Sequence, residues 1–145
     1  PPPLRDYAID VWTSRNGLPH NSLRDIAQTP EGHLWFATWE GLVRYNGLEF
    51  QLFDRRNVPA LADNGVRSLR LSPDGALVLG TSRGGVAIYD RGRWRSYTRK
   101  DGLAQDEVMD AGIDGRGRLW VATRVGCGEN PTTAASIASI IIRIL

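Results

Sequence analysis

The side chains that could take part in catalysis are few and scattered along the 145-residue chain. His20 and His33 are the only histidines, and Cys127 is the only cysteine. The sequence contains no metalloprotease, nucleophile-elbow or phosphate-loop motif, each of which combines such residues at a fixed spacing. A single cysteine excludes an intrachain disulfide and argues against a thiolate zinc site. The sequence therefore predicts a protein that is not an enzyme and that uses no metal and no cofactor.

Most of the acidic side chains have the positions of turn residues. Glu31, Asp74, Asp90 and Asp114 each stand within two residues of a glycine, as residues of tight turns commonly do. Two carboxylates could form a glycosidase pair only at a separation that the fold sets. That alternative stays open at the level of sequence.

The distribution of charge bears on the class of partner. The net charge is +2, from 18 basic and 16 acidic residues. The densest basic run, from Arg91 to Lys100, alternates with other residues, which favours a solvated strand face over a phosphate-binding patch. Nucleic-acid binding requires clustered positive charge, so no nucleic-acid partner is predicted. No stretch reaches the roughly 18 apolar residues of a membrane-spanning helix.

A repeat organises the chain. Residues 34–38 return as 77–81 and again as 119–123, which are intervals of 43 and 42 residues. A turn with glycine precedes each copy, and a glycine follows each copy three residues after its threonine. Short apolar runs between glycine turns predict strands. Four-stranded units at this period are typical of β-propeller blades.

Two tryptophans lie in the repeated runs. Trp35 and Trp120 occupy the same position in the first and third copies. The runs are apolar on both faces, which indicates strands covered from both sides. We therefore expect both indoles to pack between neighbouring blades, because one blade cannot bury its own faces.

The segment before the first run permits a second interpretation. Asn21 could cap a short helix that extends to Gln28, since Leu23, Ile26 and Ala27 have helical spacing. The turn at 30–32 leaves little room for such a helix, and a strand is preferred.

These units predict an all-β fold: a β-propeller fragment of about three four-stranded antiparallel blades that does not close. Closure needs at least four blades. The partial propeller extends over residues 1–126. Its parts are a closing strand at 7–14, a blade at 22–54, a blade at 65–98 and a partial blade at 107–123.

The last segment differs in composition from the rest. Residues 137–145 hold five isoleucines, whereas residues 1–130 hold four. This change predicts that 127–145 is an atypical tail of frame-shifted or read-through origin. The alternative is an edge strand that completes the third blade.

The repeat resembles a known family. The run from Asn16 to Gln28, followed by the run from Glu31 to Gly47, resembles the two-component regulator propeller repeat. Residues 101–103 and 117–123 look like the same motif again. The middle copy departs from it, because Val78 replaces the tryptophan. The resemblance extends over about residues 7–126.

The resemblance implies a function. Such repeats build periplasmic or otherwise extracytoplasmic sensor regions of bacterial membrane-bound signalling proteins, whose output modules are histidine kinases, hybrid regulators or diguanylate cyclases. We therefore expect a ligand-sensing fragment that binds a small polar molecule or saccharide and works with the rest of its parent propeller and signalling protein. The predicted ligand-binding residues lie in the rim loops: His20, Asn21, Trp39, Glu40, Asn64, Arg83, Asp106 and Arg124.

A second function class fits the same pattern. Open blade edges carry unpaired backbone groups and invite strand addition. The alternative is therefore a protein–protein interaction scaffold that self-associates through blade edges.

Overall fold

Three antiparallel sheets follow one another along the chain in the computed structural model, which describes residues 3, 8 and 10–124 and the backbone of 137–143. The first sheet contains, in order, β1 (Leu23–Gln28), β2 (Leu34–Thr38), β3 (Gly41–Tyr45) and β4 (Phe50–Phe53). The second contains β5 (Val66–Leu71), β6 (Leu77–Thr81), β7 (Val86–Asp90) and β8 (Arg93–Tyr97). The third has the order β11 (Ile137–Arg143), β10 (Arg118–Arg124) and β9 (Val108–Ile113). The all-β prediction of about three antiparallel blades is confirmed, and residues 23–28 form a strand, not a helix.

Two of the predicted segments fall partly outside the described residues. Of the closing strand predicted at 7–14, residues 10–13 have no strand structure, and a 3-10 turn begins at Ser14. Of the tail at 127–145, residues 137–143 form β11, which pairs antiparallel with β10 from Arg118↔Arg143 to Arg124↔Ile137. The frame-shifted or read-through origin of the tail stays a prediction.

Apolar side chains on facing sheets form the core. Side chains alternate between the two faces of a strand, so Trp35 and Ala37 of the first blade meet Leu77, Leu79 and Tyr89 of the second. The next residues along the second blade point the other way. A second cluster therefore joins the second blade to the third, and its members include Val78, Val86, Ile88, Leu119 and Val121.

The two tryptophans differ in environment. Trp35 is 0% exposed, its ring lies 4.9 Å from that of Tyr89, and its indole donates to Thr29 Oγ1 at 3.1 Å. Trp120 is 39% exposed and lies on the outer face of the third blade. The expectation that Trp120 packs between blades is wrong for this structure, because the second blade covers only the opposite face of β10.

The exposed indole of Trp120 is held by the preceding turn. It donates to Asp114 Oδ2 at 2.8 Å, and Asp114 also accepts from the amides of Arg116 and Arg118 and from the Arg118 guanidinium. These donors, the indole first, hold the pKa of Asp114 well below its usual range. The turn thus fixes the tryptophan on the outer face without a covering blade.

Candidate functional site

The inner strand of each blade contains a β-bulge at the same repeat position. In β1, β5 and β9 the register with the neighbouring strand skips one residue near the start of the strand. The skipped residues are Arg24, Arg67 and Met109. A bulge redirects the side chain of the extra residue. The repeat therefore presents these three side chains at corresponding places on neighbouring blades.

Two of the bulge residues meet a half-exposed tryptophan in the β2–β3 turn. The Arg24 guanidinium carbon lies 4.3 Å from the centroid of the Trp39 ring, within cation–π distance. The guanidinium carbon of Arg67 lies 5.8 Å from the same ring. Trp39 is 38% exposed. An aromatic surface flanked by two cations therefore remains open to solvent.

A carboxylate extends this group onto the third blade. Arg67 Nη2 lies 3.3 Å from Glu107 Oε1, and Arg124 Nη1 lies 3.6 Å from the same oxygen. Among the described residues, no carboxylate lies within ion-pair distance of Arg24. We call Arg24, Trp39, Arg67, Glu107 and Arg124 the inner-rim cluster. Three arginines and one glutamate give the cluster an excess of positive charge.

A glycine allows Trp39 to take its place in the cluster. A Cβ atom added to Gly65 would lie 3.0 Å from Trp39 Cε3 and 2.7 Å from Ser82 Oγ. The Arg67 Nε atom donates to the same serine oxygen at 3.2 Å. The ring therefore packs directly on the backbone at Gly65, and a larger residue there would displace it.

Three of the predicted ligand-binding residues each accept the same kind of hydrogen bond from a backbone amide. Asn21 Oδ1 accepts from the Ser14 amide at 2.7 Å, Asn64 Oδ1 accepts from the Arg55 amide at 2.8 Å, and Asp106 Oδ1 accepts from the Arg99 amide at 2.7 Å. Each bond joins two segments. One is the loop just before the inner strand of a blade, and the other is a turn seven or nine residues earlier in the chain. The repeated spacing of these residues therefore has a structural cause.

The sequence motif and this geometry can be compared with known proteins. Residues 17–40 match the family described as two component regulator propeller. This range contains the buried Leu18, the turn-binding Asn21 and both partners of the Arg24–Trp39 contact. This part of the chain is therefore similar to one two-component regulator propeller repeat. A search of curated proteins finds no match.

Solved structures share the propeller fold. The extracellular domain of the hybrid two-component system BT3049 from B. thetaiotaomicron superposes with a TM-score of 0.71 at 24% identity over 81% of this chain. The extracellular domain of the one-component system BT4673 from the same organism gives 0.60 at 22% identity over 85% of this chain. PorZ of Porphyromonas gingivalis, a surface component of the type-IX secretion system, gives 0.58 at 13% identity over 72%. This chain spans only 17%, 19% and 16% of their respective lengths.

The fold brings together two of the eight predicted site residues. Trp39 and Arg124 belong to the inner-rim cluster. His20 accepts from the Ser22 amide through Nδ1 at 3.1 Å, which makes it part of its own turn. The side chains of Glu40 and Arg83 are exposed, and the Arg83 amide donates to Asp63 Oδ2 at 2.9 Å. Asn21, Asn64 and Asp106 have the turn contacts described above.

Sequence reasoning missed three members of the cluster, namely Arg24, Arg67 and Glu107. One signal was available, because Arg24 and Arg67 are separated by the repeat interval of 43 residues. The bulges that direct them are not visible in the sequence. Within the described part of the chain, no group of three or more His, Cys, Asp or Glu side chains could hold a metal ion, and no helix is long and apolar enough to cross a membrane.

The turn contacts of this propeller repeat lead to a first prediction. Asn64→Ala removes the acceptor of the Arg55 amide and should lower the free energy of unfolding by about 1 kcal/mol. Arg83→Ala is the matched control, since its side chain is exposed and only its amide is used; its effect should stay within about 0.5 kcal/mol. Urea denaturation measures both. An Asn64→Ala protein as stable as the parent would show that this repeated hydrogen bond does not stabilise the fold.

Proposed function

We propose that the chain is a ligand-sensing propeller segment of a bacterial membrane-bound signal-transduction protein, and that it lies outside the cytoplasm. The family match supports the signalling class. Two of the solved structures with this fold are extracellular domains of a hybrid two-component system and a one-component system, which supports the location. The rest of the parent propeller and an output module are its partners. The segment performs no reaction of its own.

The observation that carries this proposal is the inner-rim cluster. The half-exposed ring of Trp39 offers an apolar face, and Arg24 offers a guanidinium whose planar fork matches a carboxylate. Arg67 and Arg124 already share Glu107, so Arg24 is the cation with capacity for a further partner. A saccharide that carries a carboxylate fits these groups, with its ring on the indole and its acid on Arg24.

Binding to acidic and neutral sugars tests the proposal. Titration calorimetry with glucuronate and galacturonate oligosaccharides, and with neutral oligosaccharides of equal length, should show binding of the acidic set. Arg24→Gln should weaken that binding by about 10- to 100-fold, the range for loss of one charge-assisted hydrogen bond. Trp39→Ala should have an effect of similar size.

Arg116→Gln is the control, because Arg116 is exposed in the β9–β10 turn. Its affinity should stay within about twofold of the parent. Equal affinity of the Arg24→Gln and parent proteins for acidic sugars would remove the inner-rim cluster from the site. Failure of every sugar to bind the parent would contradict the sensing proposal itself.

A further inference from the structure

A pocket lies between the second and third blades, at the ends of the strands opposite to those that carry the inner-rim cluster. Its volume is about 310 Å³, within the range of about 300–1,000 Å³ for small-molecule sites. The residues that line it include the apolar Ala76, Ile88 and Ile113 and the acidic Asp74 and Asp90. A ligand in this pocket therefore contacts both blades.

The repeat explains why a pocket is present at this interface. Where the first and third blades have Trp35 and Trp120, the second blade has Val78. The register agrees, because Trp35 pairs with Arg44 of the next strand, and Val78 pairs with Ile88, which lines the pocket. The side of the second blade that faces the third blade therefore lacks the indole ring of the other two copies.

The other two indoles show where such a ring lies in a blade. The Trp35 N–H donates to Thr29 Oγ1 at 3.1 Å, and the Trp120 N–H donates to Asp114 Oδ2 at 2.8 Å. Thr29 and Asp114 have the same repeat position, at the start of the turn between the first two strands of their blades. Both rings therefore extend toward that turn. The corresponding turn of the second blade, residues 72–76, lines the pocket.

The same turns pack closely at the first interface and leave the second interface open. A Cβ atom on Gly75, in the turn of the second blade, would lie 3.0 Å from Pro30 Cγ in the turn of the first blade. One blade further on, the repeat positions hold Pro73 and Gly117, which both line the pocket. No described atom lies within 4 Å of a Cβ atom on Gly117. The pocket therefore opens beside this turn.

The second blade keeps a hydrogen-bond acceptor at the place of the absent indole. Ser72, which has the repeat position of Thr29, accepts from the Ala76 amide at 2.9 Å and donates to Asp74. The hydrogen bond from Ser72 lowers the pKa of Asp74, so this side chain is a carboxylate near neutral pH. Ser72 is buried, whereas Asp74 lines the pocket. Asp74 is therefore the acceptor that an N–H group in the pocket can use.

The charges around the pocket favour a neutral ligand. Two of the three aspartates that line it already have arginine partners, namely Asp90 with Arg91 at 3.1 Å and Asp114 with Arg118 at 2.8 Å. The third is Asp74, and the cation of Arg95, which also lines the pocket, offsets its charge. A ligand that donates one hydrogen bond without a full charge fits this balance.

We propose that this pocket binds a small planar aromatic molecule with a ring N–H, of the size and kind of indole, in the place of the tryptophan side chain that the second copy lacks. The ring packs against Ile88 and Ile113, and its N–H donates to Asp74. Apolar cavities of proteins bind small aromatic molecules in this way. The ligand joins the second blade to the third, at a site separate from the inner-rim cluster.

Binding of indole and of 1-methylindole to the purified chain tests the proposal. Titration calorimetry should show about tenfold tighter binding of indole, because the methyl group removes the N–H donor. Asp74→Ala should abolish this preference. Glu31→Ala is the matched control, since Glu31 is exposed and has the repeat position of Asp74 in the first blade; this variant should keep the tenfold preference. Indole should also raise the unfolding temperature of the parent.

Val78→Trp fills the pocket from within the chain. It gives the second copy the tryptophan of the first and third, so it should lose indole binding while far-UV circular dichroism shows that the fold is kept. Unchanged indole affinity in a folded Val78→Trp protein would place the ligand elsewhere and overturn the proposal. If this variant does not fold, Asp74→Ala decides. A preference for indole that survives in Asp74→Ala, or a parent that binds neither molecule, would overturn the proposal as well.

Discussion

Trp35→Ala is expected to lower the free energy of unfolding by about 3–5 kcal/mol, the usual cost of truncating a fully buried large aromatic residue. The indole has no exposed surface and packs against Tyr89 and Phe53, with ring centroids 4.9 and 5.6 Å away. Its removal leaves a cavity between the first and second blades. It also leaves the buried hydroxyl of Thr29 without the indole donor.

Trp120→Ala is the matched control, since it removes the same side chain from the same repeat position. Its cost should be about 1 kcal/mol, from the lost hydrogen bond to Asp114 and the lost contact with Arg118. Urea denaturation of the two variants compares these costs. Equal losses would mean that packing between the blades does not stabilise the fold, which would contradict the blade arrangement itself.

The fold could be predicted because strands that are buried on both faces appear in the sequence as apolar runs at regular intervals. Residues 34–38 and 77–81 coincide with β2 and β6, and 119–123 lies within β10. A strand that is covered on both faces must be apolar at every position, so three such runs at intervals of 43 and 42 residues predict stacked sheets. These apolar runs do not show which faces of a strand another blade covers. Trp35 and Trp120 match in sequence, and only the neighbouring blade distinguishes them.

The candidate site was harder to predict, for a different reason. Asn21, Asn64 and Asp106 lie in rim loops and recur at the repeat interval, but each of them accepts from a backbone amide of the preceding turn, seven or nine residues earlier in the chain. Capping competes with ligand binding for the same residue types. Arg24 and Arg67 lie within strands, where alternation alone does not show a bulge. Their positions depend on a register shift between hydrogen-bonded strands, which a single strand does not encode.

The middle blade depends most on its neighbours. All five residues of β6 are buried, because the first blade covers one face of this strand and the third blade covers the other. In stacked repeats most of the stability lies in such interfaces. Among the described sheets, the first and third blades each pack only on the second blade, and Trp120 of the third blade is 39% exposed. The position of a blade in the stack, more than its sequence, therefore determines how much its tryptophan contributes to the free energy of unfolding.

The turn between β6 and β7 joins the middle blade to its own outer strand and to the third blade. Gly85 has a φ of +75°, and a Cβ atom there would lie 2.0 Å from the carbonyl oxygen of Tyr97. Its amide donates to the Asp106 carbonyl at 2.9 Å, and its carbonyl accepts from Thr81 Oγ1 at 2.8 Å. The corresponding glycine of the first blade, Gly41, has a φ of +138° and the same close approach to Phe53 O, at 2.4 Å.

Gly85→Ala should therefore cost about 2–5 kcal/mol, because the new methyl group combines left-handed backbone strain with a clash that only a backbone shift can relieve. Gly92→Ala separates the two causes. Gly92 has a φ of +88° but no atom within 4 Å of its Cβ position, so strain alone applies and the cost should be about 1–2 kcal/mol. Urea denaturation of the two variants measures the difference. If Gly85→Ala were no more costly than Gly92→Ala, the outer strand would have to move away from the turn freely. The tight packing of Tyr97 against this turn would then not hold the blade together.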